Sequence, residues 1–224
     1  MTKKKAVVLL SGGVDSATTL FMAKEKGYEC LPLIFDYGQR HKRELESAKK
    51  ISDSAGCRHK VLKIELPWKG SALLNKKKKL PNNRSFKEIK KGIPSTYVPA
   101  RNTIFLSFAL SYAEAIGAYK IFIGANAVDF SGYPDCRPAF LKAFENVIRD
   151  GTRRGMEGKR IAIEAPLILK TKSQIIEEGE RLKVPYEYTW SCYAGESSPC
   201  GNCDSCIIRK KGFEGAGIKD PLVE

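Results

Sequence analysis

The stretch that decides the fold is Ala6–Leu20, AVVLLSGGVDSATTL. Its first five residues, Ala6–Leu10, are apolar and read as a buried strand. Ala17–Lys26 reads as a helix, which Gly27 stops. Between them lies Ser11–Ser16, SGGVDS. Gly12 and Gly13 permit close backbone approach and unusual dihedrals. Successive N–H groups leading into a helix N-terminus form an anion cradle, and Ser11 and Ser16 add hydroxyl donors. This is phosphate-binding chemistry. The spacing is neither the G-x-x-x-x-G-K-[ST] of a Walker A loop nor G-x-G-x-x-G.

Working outward, the same alternation of strand and helix repeats. Cys30–Phe35 and Lys60–Leu66 read as strands, with a helix over His41–Ala55 between them. Asn102–Ile116 reads as a helix, Lys120–Gly124 as a short buried strand, Pro138–Arg149 as a helix, Ile161–Ile163 as a strand and Lys172–Leu182 as a helix. The expected fold is α/β, a mostly parallel sheet with helices on both faces. Ligands of such sheets bind beyond the carboxyl ends of the strands, where SGGVDS lies. Residues 1–188 would form the phosphate-binding and ligand domain, and 189–224 a small four-cysteine segment.

The 224 residues suit one α/β domain with such an appendage. No apolar run approaches the roughly 18 residues that span a bilayer. Ala6–Leu10 is too short for a signal-peptide core, so no membrane is expected and the cytoplasm is the default address. The formal charge is +14. Pro67–Val98 holds nine basic residues and one acidic residue, Glu88, so this stretch alone carries +8. Pro81, Pro94 and Pro99 break it, and residues from about 67 to 96 read as an insertion centred on Lys76–Lys79. The insertion is either a solvated loop or a surface for nucleic acid or polyphosphate. Of the seven cysteines, Cys192, Cys200, Cys203 and Cys206 crowd into fifteen residues. In a reducing compartment that clustering favours metal over disulfides. Four thiolates make a closed structural zinc site, although C-x2-C-x2-C also opens iron–sulfur runs. Cys30 begins a strand and reads as core.

SGGVDS resembles the signature of the PP-loop ATP pyrophosphatases, whose fold is adenine nucleotide alpha-hydrolase-like and which adenylate their substrates. Further segments in order are FDYGQRH (Phe35–His41), YVPARN (Tyr97–Asn102), GANAVDFSGYPDCRPAF (Gly124–Phe140), TKSQI (Thr171–Ile175) and TWSCYAGESSPCGNCDSC (Thr189–Cys206). Together they resemble the 7-cyano-7-deazaguanine synthase family over nearly the whole chain, the Lys-rich insertion excepted.

The resemblance implies ATP bound along Leu10, Ser11, Gly12, Gly13, Val14, Asp15, Ser16, Ala17, Thr18, Thr19 and Leu20, with Asp36 reaching the ribose. It implies that Ser11, Asp15, Ser16, Arg101 and Lys172 serve catalysis. Magnesium would accompany ATP, with Asp15 as a contact, and one structural zinc would sit on the four cysteines. The substrate would meet Arg101, Asn102, Asp129, Tyr133, Asp135 and Arg137. A carboxylate can accept both N–H groups on one edge of a deazaguanine. Tyr133 can stack on the ring, and Arg101 and Arg137 can fork onto a carboxylate or phosphate. The spacing leaves open which Asp reads the base, and Asp135 could instead cap the helix after Arg137. His41 reads either as a general base or as a residue bonding locally at a helix start. Cys136 reads either as a nucleophile or as a small residue in a turn.

The implied reaction turns a ring carboxylate into a nitrile in two adenylations, with ammonia entering between them. The small-molecule partners are 7-carboxy-7-deazaguanine, ammonia and ATP, and nucleic acid is not expected. The alternative is a PP-loop tRNA-modifying enzyme of the thiolation or lysidine type, gripping RNA with the insertion. A nucleotide-binding module without catalysis is a third reading. A homodimer is allowed, and the sequence does not set the oligomeric state or the ammonia source.

Overall fold

The computed structural model describes residues 3–68, 70–89, 91–126 and 132–223. Five strands form one sheet: β1 (Lys5–Leu9), β2 (Glu29–Asp36), β3 (Lys60–Lys63), β4 (Lys120–Phe122) and β5 (Ala162–Glu164). Their order is β3-β2-β1-β4-β5, and every pairing is parallel. The register sets Ala6 against Cys30 on one side and against Lys120 on the other. Strands buried on both faces read as continuous apolar runs, as AVVL does here. Ala6 and Val8 point into one core, and Val7 and Leu9 into the other.

The first core is closed by α1 (Val14–Glu25), α2 (Arg43–Ser54), α7 (Lys172–Arg181) and α8 (Asp204–Ala216). Leu20, Ile51, Ile175 and Phe213 are buried there. The second core is closed by α4 (Arg101–Ala115) and α5 (Pro138–Gly151), through Leu106, Ala109, Phe144 and Ile148. The remaining described helices are short: α3 (Phe86–Ile89) and α6 (Arg153–Met156). Helices therefore cover both faces, as expected. Among the described residues no helix is long and apolar enough to cross a membrane.

Three details differ from the sequence reading. β3 ends at Lys63 rather than Leu66, since its partner β2 ends at Asp36. Ile64 N still donates to Asp36 O, at 2.8 Å, before the chain leaves the sheet. A helix, Asp204–Ala216, has Cys203 as its N-cap and takes in Cys206, where only a metal segment was expected. Its Arg209 is buried, donating to Asp220 at 2.7 and 2.8 Å and to Thr189 Oγ1 at 2.8 Å. Third, the insertion is not a solvated loop throughout. Lys76–Lys79 are exposed, but Ser71, Ala72, Thr96 and Val98 are buried. Arg40 ties the lysine run down through the carbonyl oxygens of Lys76 and Lys78, at 3.5 and 3.1 Å.

The chain builds β1, β2 and β3 outward, then crosses to β4 and β5 on the other side. The crevice at the carboxyl ends of β1 and β4 is thus a topological switch point, where open α/β sheets bind ligands.

Candidate active site at the switch point

The loop after β1 is held by contacts that only one of its glycines needs in full. Gly12 has φ +90°, and an added Cβ would lie 2.3 Å from Glu44 O and 2.8 Å from Ala48 N. Gly12 therefore lets the loop lie against α2. Gly13 is the helix N-cap with extended backbone, φ −82° and ψ 167°, and does not use an unusual dihedral. Its carbonyl receives Ser16 Oγ at 3.1 Å, and the Ser11 and Ser16 hydroxyls lie 3.0 Å apart. Trp190 N donates to Gly12 O at 2.9 Å, so the segment before the cysteines also pins the loop. After β4, Gly124 packs on the loop, where a Cβ would be 3.1 Å from Asp15 C and Ser16 N.

A cavity of about 290 Å³ opens at this edge. Leu10, Ser11, Gly13, Val14, Asp15 and Ser16 line its floor, with Lys172 beside them. Lys172 Nζ meets both oxygens of Asp15 at 2.6 Å, and Asn126 Nδ2 donates to Asp15 at 3.2 Å. Thr171 and Gln174 form a capping box that fixes the start of α7, where Lys172 stands. Gly212 of α8 makes room for the lysine stem, since a Cβ there would be 2.3 Å from Lys172 Cγ.

The far wall carries Arg101, Asn102, Tyr133 and Cys136. α4 begins at Ala100 in the left-handed region, φ 53°, an uncommon conformation for a residue with a side chain. That turn brings the first residues of α4 to the cavity. Arg101 donates to Tyr37 Oη at 3.1 Å. Burial lowers the guanidinium pKa but is outweighed by Tyr37, Tyr133 and Glu44, so it stays firmly cationic. Asn102 Nδ2 donates to Cys136 Sγ at 3.1 Å. The Tyr133 hydroxyl lies 3.0 Å from that of Thr96, a residue of the insertion's end.

Asp135 is buried but does not line the cavity, and its cap is on another helix than expected. Its Oδ2 accepts from Asn102 N at 2.9 Å, satisfying the start of α4 rather than the helix after Arg137. Arg137 is exposed at the N-cap of α5 and lies outside the cavity lining. Ala17, Thr18, Thr19 and Leu20 are fully buried in α1, behind the loop rather than in the cavity. Asp36 ends β2 away from the lining, where its neighbour Phe35 is instead a wall residue. Asp129 lies outside the described residues. His41 precedes α2 and lies outside the cavity lining, its ring against Gly195 and its Nδ1 buried without a hydrogen-bond partner among the described residues. Burial holds its pKa below the usual value.

The four C-terminal cysteines converge, their sulfurs all within 4.8 Å of one another. Cys200 and Cys206 Sγ are 4.0 Å apart. Zinc–thiolate bonds of about 2.3 Å give a tetrahedron with edges of about 3.8 Å, so the cluster has the size of a closed metal site. Hydrogen bonds from the neighbouring thiols, and from Cys200 N and Ala194 N, hold Cys192 far below the usual thiol range. Cys30, Cys57 and Cys136 stand apart; Cys30 is in the core, and burial pushes it up to about 12.

The insertion joins the cavity to this cluster. Asn82 bridges to Cys203, and Arg84 grips Asp204, donating from Nε to Oδ1 at 3.0 Å. Arg84, Ile89 and Pro94 line the cavity, so the insertion roofs it. Sequence reasoning missed Glu44, Arg84, Asn126, Trp190 and Asp204. Asn126 lies within GANAVDFSGYPDCRPAF, and Trp190 and Asp204 within TWSCYAGESSPCGNCDSC; Glu44 left no signal, because RELESAKK reads as an ordinary surface helix.

The profile of a family described as "Queuosine biosynthesis protein QueC" matches residues 5–217. A 7-cyano-7-deazaguanine synthase of Trichodesmium erythraeum (strain IMS101) is 55% identical over 221 residues, covering 98% of this chain and 100% of that one. One from Thermoplasma volcanium is 51% identical over 219 residues, covering 98% and 90%. Among solved structures, an NMN synthetase from Francisella tularensis superposes with a TM-score of 0.52 at 16% identity, covering 97% of this chain and 79% of that one. That likeness concerns the fold.

Proposed function

The chain belongs to the QueC family of queuosine biosynthesis proteins, and from that membership we propose that it makes 7-cyano-7-deazaguanine from 7-carboxy-7-deazaguanine, ammonia and ATP. It is an ATP-dependent carbon–nitrogen ligase. The observation that carries the reading is the single cavity that joins the SGGVDS floor to the Arg101–Asn102–Tyr133 wall. It sets a polyphosphate cradle beside groups suited to a flat, carboxylate-bearing base.

In this reading Ser11, Gly13 and Ser16 hold the phosphates at the start of α1. The second strand's Phe35 packs face to face on Phe105, ring centroids 3.9 Å apart, and walls the adenine side. A carboxylate resists ammonia because it is anionic and its oxygen leaves badly. Its attack on the α-phosphate makes an acyl-adenylate with AMP as leaving group. Ammonia then gives the amide, and a second adenylation of the amide oxygen lets AMP leave as the nitrile forms. Lys172 stabilises the developing pyrophosphate charge. Arg101 pairs with the substrate carboxylate, and Asn102 and Tyr133 position the ring. Asp135 holds the start of α4, so it positions Arg101 and Asn102. Cys136 serves as a small residue in the turn, since adenylation already activates the carbon. Asp15 holds Lys172, and magnesium arriving with ATP would neutralise the polyphosphate. Cys192, Cys200, Cys203 and Cys206 would hold one zinc ion whose role is structural. In this reading residues 1–188 carry the phosphate and substrate groups, and 189–224 carry the metal while adding Trp190 and Asp204 to the cavity lining. The partners are small molecules, not nucleic acid, and the address is the cytoplasm.

Isotope tracing tests the double adenylation. Substrate carrying two carboxylate ¹⁸O atoms should give two labelled AMP molecules per nitrile. Unlabelled AMP, or labelled phosphate, would overturn the scheme.

A further inference from the structure

Among the described residues three carboxylates line the cavity: Asp15, Glu44 and Asp204. Asp15 is held by Lys172 and Asn126, and Asp204 by Arg84. Glu44 has no ion pair within 4 Å and no side-chain hydrogen bond among the described residues. It stands in the first turn of α2, half-buried, with its carbonyl oxygen against Gly12 of the phosphate loop. The groups that face it are few. Arg101 of α4 acts on it from across the cavity, but that guanidinium donates to Tyr37 Oη. Tyr37, past the end of β2, is the second, and its phenol is buried and held above its usual pKa by that burial. Arg43, the next residue back on α2, turns its guanidinium onto the Trp190 ring, 4.9 Å from the centroid.

An acyl-adenylate needs a neutral nitrogen nucleophile, whereas ammonia in neutral water is mostly ammonium, whose lone pair holds a proton. Resting on the synthase reading, we propose that Glu44 binds ammonium in the cavity and takes its proton, releasing ammonia beside the adenylated carbonyl. The balance is simple. Ammonium and the Glu44 carboxylate become ammonia and the Glu44 carboxylic acid. The freed lone pair forms the C–N bond, and the C–O bond to AMP breaks with its electrons leaving on AMP. The surplus N–H proton passes to water, as does the proton on Glu44 before the next turnover. A small cation fits the site because a carboxylate without an ion pair sits there, and the proton transfer is feasible because burial raises this carboxyl to about 7, against the opposing pull of Arg101.

The test compares Glu44→Gln and Glu44→Asp with wild type, using ammonium and hydroxylamine as nucleophiles at pH 7. Hydroxylamine is uncharged there and needs no base. Substrate-dependent ATP–pyrophosphate exchange reports the first adenylation separately. With ammonium, kcat/KM of Glu44→Gln should fall by about 10²–10⁴. Hydroxamate formation and exchange should stay within about threefold, Glu44→Asp should recover part of the ammonium rate, and the deficit should shrink as pH rises toward 9. An equal loss with both nucleophiles would overturn the role, as would no loss with either. A weakened magnesium requirement in the exchange assay would make Glu44 a metal ligand instead. Absence of exchange in the wild type would overturn the synthase reading and this role with it.

Discussion

Gly12 and Gly13 are adjacent and identical, yet the structure assigns them different burdens, and alanine substitution separates them. At Gly12, φ is +90°, and a methyl group would stand 2.3 Å from Glu44 O, 2.8 Å from Ala48 N and 3.0 Å from Ser47 Cβ. Two of these are backbone atoms of α2 and cannot rotate aside. The left-handed backbone costs an alanine roughly 1–2 kcal/mol, and overpacking against fixed backbone about 1–3 kcal/mol. Gly12→Ala should therefore lose about 2–5 kcal/mol, or shift the loop off α2. For a chain of this size 1 kcal/mol is about 2–4 °C in Tm, so the melt should fall by about 4–20 °C. Displacing the cradle by about 1 Å should also lower kcat/KM for ATP by about 100-fold. At Gly13 the backbone is extended, and a methyl group meets nothing nearer than 3.7 Å, from Ser11 Oγ and Trp190 O. Gly13→Ala should melt within about 3 °C of wild type. Thermal melts by circular dichroism, with ATP-dependent turnover beside them, decide it. Equal destabilisation of the two variants, or a wild-type melt for Gly12→Ala, would refute the packing argument.

Arg209→Met leaves Asp220 as a buried carboxylate without its partner, which should cost about 3–5 kcal/mol in a denaturant titration, and adding Asp220→Leu should return part of it. A single-variant loss under 1 kcal/mol would contradict the pairing. Glu44 has a folded pKa of about 7, raised above that of the free side chain, so the folded state holds the proton more tightly and stability falls as pH rises from about 5 through 7. Glu44→Gln should remove that slope, gaining about 1–3 kcal/mol on wild type between pH 5 and pH 8; parallel pH profiles would count against it. Purified protein should carry about one zinc per chain by metal analysis, and Cys203→Ser should lose both the metal and the docking of the insertion at Asn82; iron with labile sulfide would contradict this.

Much of this molecule was legible in the sequence because its signals are local. AVVLL followed by SGGVDS declares a buried strand, a tight glycine loop and a helix start, and parallel sheets write their strands as continuous apolar runs. The four cysteines announce themselves by spacing. What was not legible depends on distance in the chain. Asp135 satisfies the first turn of α4 through Asn102 N, 33 residues earlier in the chain. The insertion's role as a roof rests on Arg84 meeting Asp204, 120 residues away. Glu44 looks like any surface glutamate until α2 is laid against Gly12. The helix Asp204–Ala216 was hidden because the cysteines at its start drew the reading to metal.

The most direct measurement is mass spectrometry of the base after incubating purified protein with ATP, magnesium, ammonium and 7-carboxy-7-deazaguanine. The account predicts 7-cyano-7-deazaguanine, with two AMP and two pyrophosphate for each nitrile, and loss of both products in Ser11→Ala and in Asp15→Ala of intact fold. An unchanged base, or nitrile formed at wild-type rates by both variants, would contradict it.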